Sequence, residues 1–177
     1  MTPQPKINLQ LDLQVAVSDV ERDQLPDAEI IQQWAGLAIS HAILDSTSHC
    51  KPTSDDLQIT VRLVDESEIT QLNEQYRQKS GPTNVLSFPF ESPPGLPEAV
   101  AKSLLGDVVI CAAVVKREAM EQGKSLTAHW AHMMVHGTLH LLGYDHMTDD
   151  EAKAMESLEI AVLEALGYSN PYESAAG

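Results

Sequence analysis

Three histidines towards the end of the chain stand at a spacing that suits a single metal ion. They belong to the run His136-Gly137-Thr138-Leu139-His140-Leu141-Leu142-Gly143-Tyr144-Asp145-His146. His136 and His140 are four residues apart, so on a helix they project from one face, one turn from each other. Gly143 can take the left-handed conformation that ends a helix and turns the chain back, which returns His146 towards the same point. Three imidazoles with a fourth position open describe a catalytic zinc site, with one Zn2+ per chain, rather than a structural site, which fills all four positions.

The spacing resembles that of the metzincin peptidases, H-E-x-x-H-x-x-G-x-x-H, with one change. Gly137 stands where those enzymes carry a glutamate, and glycine cannot take a proton from metal-bound water. The expected reaction is one for which the lowered pKa of that water, about 7, is largely sufficient, and phosphodiester hydrolysis is a natural candidate. Gly137 is also expected to leave room beside the metal for a bulky substrate. A zinc metallopeptidase or amidohydrolase is the alternative enzyme class, and the missing glutamate counts against it.

Residues 136–146 read as the HGxLHLxGYDH motif, and the chain resembles the YbeY family, bacterial metal-dependent endoribonucleases of rRNA maturation. Leu72-Asn73 with Tyr76-Arg77, Pro82-Thr83-Asn84-Val85-Leu86-Ser87-Phe88-Pro89 and Leu105-Gly106-Asp107 follow the family's order, so the likeness covers about residues 57–168. It implies that His136, His140 and His146 are zinc ligands and Arg77 the essential arginine. It implies a single-strand-specific endoribonuclease acting in 16S rRNA 3′-end maturation, ribosome biogenesis and late-stage 70S ribosome quality control. Single-stranded rRNA and the ribosome or its associated proteins are the implied partners. A non-catalytic ribosome-associated factor, stapled by zinc, is the third reading. Many relatives carry aspartate where this chain has Asn84, which removes one possible base or metal contact.

Arg77 also fits on chemistry alone, because a guanidinium holds phosphoryl oxygens bidentately. Lys79 and Ser87 are further candidates for substrate contact, although a strand-face hydroxyl is the commoner role for Ser87. Asp145 has three readings, in order of preference: orienting a ligand imidazole, acting as base, or capping the following turn. His132, one turn before His136, is read as core in preference to cleft, and His129, Trp130 and His41 as packing. Asp107 is equally a cleft residue or a turn acceptor, and Cys111 is read as buried rather than reactive.

Positioning these groups falls to an alternation of strands and helices. Leu9, Leu11, Leu13 and Val15 alternate with polar residues over residues 7–17, as do Leu57, Ile59, Val61 and Leu63, and both runs predict half-buried strands. Asp27 predicts the N-cap of a helix carrying Ile30, Ile31, Trp34, Leu37 and Ala38. Ile69, Leu72 and Tyr76 predict a short amphipathic helix over residues 67–76, ended by a loop holding Arg77, Lys79, Gly81 and Pro82. Residues 85–90 predict a short strand that Pro89 confines to a sheet edge or a strand end, and residues 91–98 a mobile loop. Residues 104–115 predict a strand passing into a helix that ends at Gly123, Ser125 opens the helix of the motif, and a last helix begins near Asp149. The expected fold is α+β: a small mixed four-stranded sheet packed with about five helices and a zincin-like metal helix. It forms a single domain over residues 1–177, with residues 169–177 as a flexible tail.

The 177 residues carry 11 Lys+Arg against 26 Asp+Glu, a net −15 that argues against a nucleic-acid partner unless the charge is unevenly spread. Residues 57–130 hold 7 of the 11 basic residues against 9 acidic ones. Arg62, Arg77, Lys79, Lys116, Arg117 and Lys124 are therefore expected to build a local basic cleft around the metal. Cys50 and Cys111 match no metal or disulfide spacing, which suits a reducing cytoplasm. No signal-peptide pattern opens the chain, and its longest apolar run, residues 108–115, is far short of the roughly 20 residues that span a bilayer. A cytoplasmic protein without membrane contact is expected.

Overall fold

The alternation around Leu9 forms strand β1, Asn8–Ala16, in a computed structural model that describes residues 7–18, 22, 24–45, 52 and 54–173. Asp27 caps helix α1, Ala28–Leu44, and its carboxylate accepts from the Ile30 amide at 2.9 Å. Strand β2, Asp56–Val64, runs parallel to β1 and pairs with it from Asn8–Asp56 to Ala16–Val64. A parallel pair cannot be joined by a hairpin, and α1 is the crossover. There follow α2 (Glu66–Arg77), β3 (Val85–Pro89), α3 (Glu98–Ser103), β4 (Leu104–Cys111), α4 (Ala112–Gln122), α5 (Leu126–Leu141) and α6 (Asp149–Ala165). The sheet order is β1-β2-β4-β3, with β4 parallel to β2 and β3 an antiparallel edge strand.

The α+β architecture with a mixed four-stranded sheet is as expected, but the described residues form six helices rather than about five. Helix α3 escapes sequence reading because none of its six residues is buried, so it carries no apolar stripe. Among the described residues no helix is long and apolar enough to cross a membrane.

Strand alternation divides the core. Val108 and Ile110 of β4 join Leu57, Ile59, Val61 and Leu63 against α1, α5 and α6, while Val109 and Cys111 face the opposite side with Ile69 of α2 and Leu86 of β3. Burial pushes the Cys111 thiol pKa up, in keeping with a packing role. On α2 the buried positions are Ile69 and Asn73, and Tyr76 stands 59% exposed, outside the apolar face where its spacing placed it.

Helix α5 is buried nearly all round. Ser125 caps it, accepting from the Ala128 amide at 3.1 Å. A β-carbon on Gly137 would lie 2.7 Å from Val108 Cγ1 and 3.3 Å from both Ser87 Oγ and Val85 Cγ2. Gly137 thus faces the sheet, where it lets the helix approach β3 and β4; the expected room beside the metal is not what it supplies. Gly137→Ala forces an overpacking that typically costs about 1–3 kcal/mol, against about 1 kcal/mol regained in helix propensity. The urea midpoint is therefore expected to fall, and an unchanged midpoint would show that the sheet yields freely.

Residues 169–173 belong to the expected tail, and two of them contact the body of the fold. The Tyr172 hydroxyl donates to buried Glu159 of α6, and Lys124 Nζ donates to the Pro171 carbonyl at 2.7 Å. Residues 174–177 of that expected tail, and Cys50, lie outside the described residues.

Candidate metal centre and its cleft

Helix α5 sets His132, His136 and His140 one turn apart. It ends as predicted at Gly143, whose φ of 100° only glycine adopts freely. The Gly143 amide donates to the His140 carbonyl at 3.0 Å and the Tyr144 amide to that of Leu139 at 3.1 Å, the paired bonds of a Schellman stop. The returning strand of chain is fastened by the Tyr144 hydroxyl, which donates to Asp45 at the end of α1 at 2.8 Å. His146 then comes back over the helix end, and one nitrogen from each of His136, His140 and His146 lies within 4.8 Å of the others.

The donor set fits a metal ion. Nε2 of His136 and Nε2 of His140 face each other at 3.1 Å; two nitrogens bound to one tetrahedral zinc at its usual bond length would stand roughly 3.3 Å apart. His136 Nδ1 is hydrogen-bonded to the Glu159 carboxylate, which places the proton on Nδ1 and leaves the Nε2 lone pair for the ion. Asp145 stands by His146 in the same way: its Oδ1 accepts from the His146 amide at 2.8 Å and lies 3.3 Å from Nδ1.

Burial, reinforced by the neighbouring imidazoles of His136 and His146, pushes the His140 pKa from 6.5 down to about 4. His140 is thus neutral at pH 7, the state a ligand requires. The unfolded chain binds this proton near 6.5 and the metal-free fold does not until about 4, so stability falls as pH drops through that window. Chelator-treated protein should melt lower at pH 4.5 than at pH 7.5, and His140→Ala should shrink the difference. An equal difference in both proteins would place the acid sensitivity elsewhere.

Glu159 was not singled out by sequence reading. It is 0% exposed on α6, with His136 Nδ1 and the Tyr172 hydroxyl as hydrogen-bond donors and His132 Nε2 at 3.6 Å. Burial pushes its carboxyl pKa up, yet the imidazoles of His132 and His136 more than offset this and hold it at about 2. Its signal was available: Met155, Glu159 and Val162 are i, i+4 and i+7 on one buried stripe, so a carboxylate occupies a core position. Glu159→Gln keeps the shape and removes the charge behind His136. Zinc affinity, read by competition with a chromophoric chelator, should weaken about 10–100-fold, and wild-type affinity would deny Glu159 that role.

The histidines open onto a cleft of about 550 Å³ bordered by β3, whose lining includes Arg77, Lys79, Ser87 and Asp145. Arg77 is the last residue of α2. Gln78 turns left-handed after it, at φ 57°, and buried Asn73 ties the following loop by donating to the Gly81 carbonyl at 3.0 Å. Among the described residues the Arg77 guanidinium has no hydrogen bond or ion pair, and its charge contributes to depressing the His140 pKa. Ser87 is buried and donates to the Gly137 carbonyl at 2.9 Å, so its proton is spent on seating α5.

Asn84 also borders the cleft, but its amide donates to Glu118 at 3.1 and 3.3 Å, and Glu118 bonds His129 Nε2 at 2.9 Å. Both Asn84 and His129 therefore serve packing of β3 and α5 on α4. His132 is buried beside Glu159, away from the cleft, and His41 is half-buried on α1. Asp107 is exposed in an adjoining groove.

The expected basic cleft is not built by the residues proposed for it. Arg77 and Lys79 border it, but Arg62 pairs with Glu68, Arg117 with Glu66, and Lys124 with the Pro171 carbonyl. Lys116 borders a separate hollow beside Met120. Proximity in sequence did not translate into proximity in space: Arg62 and Arg117 are taken up by carboxylates of α2, and Lys124 by the C-terminal segment.

A family model described as Endoribonuclease YbeY matches residues 22–167 of this chain. Among solved structures, the solution structure of TM1509 from Thermotoga maritima is similar at 21% identity, covering 93% of this chain and 99% of that one, with a TM-score of 0.49.

Proposed function

The chain belongs to the YbeY endoribonuclease family, and from that premise we propose that it is a zinc-dependent, single-strand-directed endoribonuclease. Its proposed substrate is rRNA, including the 3′ end of 16S rRNA, in ribosome biogenesis and late 70S quality control, with the ribosome or its proteins presenting the strand. The observation that carries the reading is one cleft holding both a three-histidine centre and an arginine that has no partner among the described residues. A bound zinc ion would supply a water of lowered pKa and polarisation of a phosphate oxygen.

The remaining work falls to the chain's own groups. His136, His140 and His146 hold the ion, with Glu159 and Asp145 fixing two of the imidazoles. Arg77 receives the scissile phosphate and stabilises the negative charge that grows on its oxygens. Lys79 adds a second cation at the mouth of the cleft. Among the described residues Arg77 and Lys79 are the Lys/Arg side chains bordering the cleft, so grip on naked RNA is weak and salt-sensitive.

An edge strand beside a zinc centre is also where an extended peptide would pair, which is the observation a peptidase reading would rest on. Position 137 offers no carboxylate and Glu159 is sealed behind His136, so neither supplies the glutamate base of a peptidase. The test incubates zinc-verified protein with end-labelled single-stranded RNA, with the same RNA annealed to its complement, and with casein. Internal cuts in the single strand alone support the reading. Casein fragments with intact RNA would replace it by the peptidase.

A further inference from the structure

Beyond Arg77 the cleft runs into a second groove of about 670 Å³ whose chemistry differs from that of the metal centre. Both hollows share Arg77, Ser87 and Pro89, so they form one continuous surface. The metal side offers cations, Arg77 and Lys79. The second groove offers rings, Tyr76, Phe88 and Phe90, with the exposed carboxylates of Glu91 and Asp107. Phosphates would be repelled by those carboxylates, whereas the amino groups of nucleobases donate to carboxylate oxygens.

Tyr76 is the feature the fold leaves unexplained. It precedes Arg77 directly, stands 59% exposed, and makes an edge contact with Phe88 at 5.3 Å between ring centres and 72° between planes. An aromatic side chain steadied by a second ring, and open to a groove beside a phosphate-binding arginine, is the arrangement on which bases of a single strand stack. We infer that this groove is a nucleobase subsite, in which a base flanking the scissile phosphate stacks on Tyr76 while Glu91 and Asp107 accept from its polar edge. The inference rests on the endoribonuclease reading and adds a source of affinity other than charge, which the sparsely basic cleft requires. It also accounts for single-strand preference, because a base paired in a duplex has no free face to offer.

The test uses the zinc-loaded full chain and a single-stranded RNA with one known cut site, together with versions carrying a single abasic nucleotide walked across the flanking positions. For wild type, removing one particular base should lower kcat/KM about 5- to 150-fold, the range expected for a lost base stack. Tyr76→Ala should lower kcat/KM on intact RNA by a similar factor, and Tyr76→Phe and Tyr76→Trp should retain most of it. The two losses should not add: on the RNA already lacking that base, Tyr76→Ala should cost nothing further. Additive losses, or wild-type kcat/KM for Tyr76→Ala on intact RNA, overturn the subsite while leaving the endoribonuclease reading in place. Failure of wild type to cut any single-stranded RNA overturns both.

Discussion

His140→Ala should fold and bind zinc more than about 100-fold more weakly than wild type, beyond what a mere hydrogen-bond partner of a ligand commands, with RNA cleavage lost in step. The substitution takes away one of three ligand nitrogens. Unlike His136, His140 has no hydrogen bond to a buried carboxylate among the described residues. Its imidazole resists protonation in place, with a pKa near 4, and its Nε2 faces that of His136. His136→Ala is a poorer test, because it strips the fully buried Glu159 of a charge-assisted partner and risks a penalty of about 3–5 kcal/mol for an uncompensated buried charge. The check is zinc per chain by elemental analysis together with a melting curve. His140→Ala that retains one tightly held zinc would move the metal elsewhere.

Arg77→Ala should leave zinc stoichiometry and melting temperature at wild-type values and lower kcat about 100- to 1,000-fold, the range for removing one donor to developing negative charge. The side chain is exposed and, among the described residues, forms no internal bond, so its removal costs the fold little. Arg77→Lys should recover only part of the loss, since an ammonium keeps the charge but not the planar two-pronged fit to phosphate. Full recovery by lysine would show that bulk charge suffices. A loss confined to KM would make Arg77 a docking residue rather than a participant in the transition state.

The three-histidine cluster was legible because the information that places it is local. A four-residue helical spacing, a glycine stop and a third histidine are all readable without tertiary contacts, and α5 with Gly143 realises them directly. Caps read as well, at Asp27 and Ser125. What failed depended on the facing of elements. Gly137 was assigned to the metal because it follows His136, yet a step of one residue rotates the side-chain direction by about 100° around a helix, and that rotation points it at Val108. Tyr76 was assigned to the core by its spacing, but Asn73 takes that position because the loop after α2 needs its amide. Glu66 and Glu68 of α2 take up Arg117 of α4 and Arg62 of β2, so a count of basic residues along the chain overstated the basic character of the cleft. Glu159 was missed because the last helix was read only for its apolar residues; a carboxylate on a buried stripe is itself a signal.

The most direct measurement is a titration of chelator-stripped protein with zinc, following cleavage of a single-stranded RNA at each addition. Cleavage should be absent at the start, rise linearly and level off at one zinc per chain, as one three-histidine centre requires. The His140→Ala protein should stay flat over the same range. Full cleavage by the stripped protein, or a rise of equal size in His140→Ala, would contradict the assignment of the reaction to this centre.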